Sequence, residues 1–165
     1  MSKRVATFGM LVALAFIFSY IEMLMPIYLG IPGVKLGLAN LVVFAALYLM
    51  SAGDALAVSL IRMLLVSFTF GNFSNLIFSL AGGLFSLFMM WICKRFHIFG
   101  KVGVSVIGGV CHNIGQLVIA AFVVQTAGVF TYLPVLLAAG SAAGAAIGLL
   151  GGYVLERIQK AVSRI

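Results

Sequence analysis

Acidic residues are almost missing from this chain: Glu22, Asp54 and Glu156 are its three carboxylates among 165 residues, against ten Lys and Arg. Soluble domains carry about 25% charged residues because their surface must be hydrated, whereas this chain carries 8%. That shortage excludes a water-soluble globule. Cysteine is scarce as well. Cys93 and Cys111 both fall in or beside apolar runs, which argues against a structural disulfide and against a metal site built from two cysteines and two histidines. The adjacent pair Cys111-His112 invites a nucleophile or ligand reading, yet neither residue has an acid or second ligand near it in sequence. No phosphate-binding glycine loop of the ATPase type is present, so the chain does not itself hydrolyse ATP. Nothing here calls for a cofactor or a resident metal, and the chain is read as not an enzyme. Internal repeats, low-complexity tracts and composition breaks are also lacking, and residues 1–165 read as one transmembrane domain.

What is abundant is apolar surface: 64% of residues are hydrophobic and the mean hydropathy is +1.28. The solvent over most of the perimeter is therefore lipid. In lipid every backbone N–H and C=O must be satisfied internally, which leaves helices or a closed barrel. The apolar stretches exceed the roughly 10 residues of a barrel strand and lack period-2 alternation, so the expected class is all-α, a polytopic bundle of six transmembrane helices. The first is expected over about residues 5–25, stopped by Pro26, and the loop from Pro26 to Lys35 holds two prolines and two glycines. Further helices are expected over about 36–50, 55–70, 73–93, 102–126 and 134–158, with Asp54 as N-cap of the third. Helices 2 and 3 lie near the lower length limit for crossing roughly 30 Å of hydrocarbon. Lys3-Arg4 before an apolar run resembles a signal peptide, but no small-residue cleavage site follows, and the run reads as a retained helix.

A net charge of +7 in a soluble protein suggests nucleic acid. In a membrane protein the placement of charge explains it, and nucleic acid is not expected as a partner. With six helices, Lys3, Arg4, Lys94, Arg95, Lys101, Arg157, Lys160 and Arg164 share one side, while Lys35 stands alone on the other. The positive-inside rule then puts both termini in the cytoplasm of a bacterial cell, with the protein in the cytoplasmic membrane.

Polar groups inside apolar helices are expensive unless they face a partner or water, so each is a candidate site residue. Arg62 falls near the bilayer midplane. Glu22, Asn40, Asn72 and Asn75 fall near the outer helix ends, and His112, Asn113 and Gln116 occupy adjoining faces in the middle of helix 5. Beside them are Tyr28 and Lys35 of the first loop. Each has a structural alternative: amides join helices at about 0.6 kcal/mol per bond, Asn72 and Asn75 suit caps, and Arg62 suits pairing with Glu22 or a reach toward Asp54. Five helices contributing to one half of the membrane points to a pocket opening outward. Gly140, Gly144, Gly148 and Gly152 line one face of helix 6, and Gly9 with Ala13 forms a milder small-residue face on helix 1. Such faces serve either tight packing in the bundle or docking of another membrane subunit.

The stretch Gly30-Ile-Pro-Gly-Val-Lys-Leu-Gly-Leu-Ala-Asn40, with the hydropathy that follows, resembles the Gx transporter family, also labelled heptaprenyl diphosphate synthase component I. That family is similar to the substrate-binding S components of energy-coupling factor (ECF) transporters. The resemblance implies a six-helix subunit with an outward ligand pocket and a lid between helices 1 and 2. It also implies a small-residue face on helix 1, here Gly9 and Ala13, that docks on a transmembrane coupling subunit driven by two ATPase subunits. Chain-elongating prenyl synthases resemble one another in Asp-rich clusters that hold Mg²⁺; one Asp in total does not supply them. The expected function is capture of a small anionic or aromatic molecule from outside, such as a flavin, quinone or isoprenoid precursor. The alternative is a non-catalytic accessory membrane subunit linked to polyprenyl diphosphate or quinone synthesis.

Overall fold

The structure, a computed structural model, describes residues 2–24 and 37–162. Six α-helices follow in order: α1 Ser2–Leu24, α2 Leu38–Leu49, α3 Ala52–Thr69, α4 Phe73–Arg95, α5 Lys101–Val124 and α6 Leu133–Val162, with a short 3-10 helix, Ala127–Tyr132, before α6. No strand occurs among the described residues. Five of the helices are long and apolar enough to cross a membrane, and large apolar side chains such as Val5, Phe68, Phe122 and Leu149 point outward. This is the perimeter lipid solvates, and the chain is a multi-pass membrane protein of the bundle class.

The local chemistry explains most boundaries. The N-cap of α3 is Ser51, not Asp54. The Ser51 side chain accepts from the Asp54 backbone N–H while the Asp54 carboxylate accepts from the Ser51 N–H, a reciprocal box that starts the helix three residues earlier than expected. Asn72 caps α4 by accepting from Asn75 N–H at 2.8 Å. At the far end of α4 the His97 N–H donates to Lys94 O and the Ile98 N–H to Cys93 O. This Schellman closure needs a left-handed residue, and His97 fills that place at φ 53. Pro134 lies in the first turn of α6, where its missing N–H has no helical partner to lose.

The second helix falls short of the span expected of it. At 12 residues α2 is roughly 18 Å long, well short of a bilayer core. It nevertheless connects the two ends of the bundle, because it packs against α1, α3 and α6 and is enclosed on nearly every side. Its two ends are held by opposite charges from neighbouring helices. Glu22 of α1 accepts from the N–H of Gly37, the N-cap residue, and Lys94 of α4 donates to the carbonyl of Leu47 and sits 4.8 Å over the Tyr48 ring. Both charges complement the helix dipole.

One cluster of buried side chains ties all six helices: Leu11, Phe44, Leu47, Val58, Leu87, Val104 and Leu155 belong to it. It lies toward the end that carries the basic residues. There Arg4 pairs with Asp54 at 2.8 Å and Lys101 with Glu156 at 3.8 Å. The opposite half is packed differently and contains the polar groups.

Candidate functional site

The site begins with glycine. A methyl group on Gly109 of α5 would lie 2.3 Å from the Gly140 carbonyl oxygen of α6, and on Gly144 it would lie 2.7 Å from Ser105 O. On Gly115 of α5 it would meet Ala81 O of α4 at 2.7 Å, and on Gly82 of α4 it would meet His112 O at 2.8 Å. The three helices are thus in backbone contact around a narrow waist. The row Gly140, Gly144 and Gly148 serves packing within the bundle, whereas Gly152 has little beside it.

Beyond that waist, away from the basic end, lies a half-open cavity of about 450 Å³. From α4 it is lined by Asn75, Phe78 and Ser79, and from α5 by Asn113, Gln116, Leu117 and Ala120. The 3-10 helix closes it with Val129 and Tyr132, and α6 adds Leu136. Asn113 Nδ2 donates to Leu136 O at 2.7 Å, which ties α5 to α6 at the cavity wall. Apolar walls with a few convergent hydrogen-bonding groups, at a volume within about 300–1,000 Å³, describe a small-molecule site.

The other polar residues sit elsewhere. Arg62 of α3 faces α1, donating through Nη1 to Ser19 Oγ at 3.3 Å, while Ser19 Oγ donates to Ala15 O. Its buried Nε has no hydrogen-bond partner among the described residues. Glu22 is close enough for its charge to act on Arg62, but the two do not form an ion pair within 4 Å, and Asp54 is taken by Arg4. Asn40 stands one turn into α2, near Gly37, whose φ of 76 requires a glycine-like backbone. Glu22, Asn40 and Arg62 therefore belong to the α1–α3 side, whereas Asn75, Asn113 and Gln116 belong to the α4–α6 cavity. Asn72 caps α4, and the His112 backbone and ring abut Gly82 at the waist. Tyr28 and Lys35 lie outside the described residues.

Sequence reasoning passed over Phe78, Ser79 and Tyr132. The first two follow Asn75 by three and four residues, so a helical-face reading from Asn75 finds them. Tyr132 lies in a segment expected to be plain loop. Among the described residues no three of His, Cys, Asp and Glu come together as a metal site would require. On α1, Gly9 and Ala13 face outward, and a side chain at Gly9 would meet nothing within 4 Å.

Comparison with known proteins adds one finding. The sequence model of the family described as heptaprenyl diphosphate synthase component I matches residues 11–154. No curated protein and no solved structure matches the chain.

Proposed function

We propose, from the premise that this chain belongs to the heptaprenyl diphosphate synthase component I family, also called the Gx transporter family, that it is a membrane-embedded substrate-binding subunit. In this reading it captures a small molecule from outside the bacterial cell, in the manner of an S component of an ECF importer. The observation that carries it is the cavity walled by Asn75, Asn113 and Gln116, at the end of the bundle opposite the basic residues. The tightly packed basic half is the anchor, and the glycine waist is the floor on which the captured molecule rests. Coupling to a transmembrane partner with two ATPase subunits is assigned to the open small-residue face at Gly9 and Ala13. The subunit itself is not catalytic. Glu22 fastens the start of α2, Arg62 lies on the α1–α3 side, and Tyr28 and Lys35 remain candidates for covering the site.

The family description supports a second reading, a non-catalytic membrane subunit that accompanies a prenyl synthase. Mass spectrometry of the intact protein, with identification of copurifying chains, separates the two. A retained small molecule in one-to-one ratio together with ATPase subunits is the expected result. A bound prenyl synthase subunit without a small molecule would replace the first reading with the second.

A further inference from the structure

None of the charged residues described in the structure lines the cavity between α4, α5, the 3-10 helix and α6. Arg62 and Glu22 are engaged on the α1–α3 side, and the remaining described charges cluster at the basic end. Two α-helix N-termini reach the cavity and backbone groups at both are engaged: at α4 Asn72 takes the Asn75 N–H with its side chain and the Leu76 N–H with its carbonyl, and at α6 the Leu133 N–H donates to Phe130 O. An anion entering here would lose its water without meeting a cation among the described residues, a transfer that is costly without compensation.

The polar groups that do line the cavity are amides and a hydroxyl. Asn75 and Gln116 each present an N–H donor beside a C=O acceptor, Asn113 has one N–H committed to Leu136 O, and Ser79 adds a hydroxyl. A side-by-side donor and acceptor pair is matched by another amide edge. Phe78 and Tyr132 supply ring surface beside it. We propose that the cavity takes an uncharged, flat molecule bearing an amide-type edge, such as a lactam, an imide or a ring carboxamide, and rejects carboxylates and phosphates. This narrows the expectation of an anionic or aromatic substrate, and it rests on the substrate-binding reading above.

Matched pairs that share a ring and differ in charge test it: nicotinamide against nicotinate, and uracil against orotate. Saturation-transfer NMR on the full chain in detergent reads each affinity. The uncharged member of each pair should bind at least about tenfold more tightly, equivalent to about 1.4 kcal/mol. Both should lose their signal in Gln116→Leu and in Asn75→Leu; the latter changes an exposed rim residue, so loss of folding does not account for the result. Nicotinate or orotate binding as tightly as its partner overturns the inference and leaves a substrate-binding subunit, and Lys35→Gln and Arg62→Gln then show which cation holds the acid. Should none of the four bind, the charge of any copurifying small molecule decides, an uncharged amide supporting the inference and an acid overturning it. No binding and no copurifying molecule removes the substrate-binding reading itself.

Discussion

Arg62 and Glu22 look like partners in the sequence, and the geometry gives them separate tasks. Glu22 fastens the start of α2 through the Gly37 N–H, a hydrogen bond to a charged group that contributes roughly 1.5–3 kcal/mol. Glu22→Gln should therefore lower the thermal unfolding temperature of the protein in detergent. Arg62 has one long bond to Ser19 and a buried Nε without a partner among the described residues, while an arginine at mid-depth costs about 2.5–3.5 kcal/mol on insertion scales. Arg62→Gln should leave stability unchanged or raise it. A loss on both substitutions, recovered in the double variant, would instead make them a buried pair. Such residues stand out in sequence because amides and charges are conspicuous in apolar runs. Which of them share a cavity was not legible, since that depends on which helices are neighbours: α1 leans on α2 and α3, and α5 on α4 and α6. Nor did Phe78 or Tyr132 differ in kind from the many aromatic residues that face lipid.

Helix faces carry a sharper contrast, because the same residue type is used in two ways. Gly109 touches the α6 backbone, so Gly109→Ala should cost about 1–3 kcal/mol through overpacking, read as a lower unfolding temperature. Gly9 has open space, so Gly9→Leu should leave unfolding unchanged while abolishing copurification with a coupling subunit. Retained copurification would move docking off this face. His97 offers a third case: left-handed backbone costs roughly 1–2 kcal/mol for a residue with a side chain, so His97→Gly should stabilise the turn after α4. Boundaries were legible where Gly71-Asn72 and the basic stretch from Lys94 to Lys101 interrupt apolar runs, while the stop expected at Pro26 lies outside the described residues. The start of α3 was misplaced because Ser51 and Asp54 both suit caps, and only their reciprocal bonding distinguishes them. The length of α2 was overestimated because apolar content does not reveal whether a helix faces lipid or protein.

For the molecule as a whole, the division of charge between its ends predicts orientation. In intact cells a cysteine replacing the exposed Gly128 should react with an impermeant thiol reagent, and one replacing Ile98 should not. The native Cys93 and Cys111 are buried and give little background. The reverse pattern would turn the cavity toward the cytoplasm and end the importer reading. The short, enclosed α2 also bears on how the chain is made. A helix of twelve residues does not hold a place in the bilayer alone, and the Lys94 that secures the end of α2 belongs to a helix synthesised later. During synthesis α2 has no finished berth until α4 has crossed. Until then the segment lacks its final cover, and a ribosome stalled after α3 should leave it accessible to water-soluble reagents that the complete protein excludes.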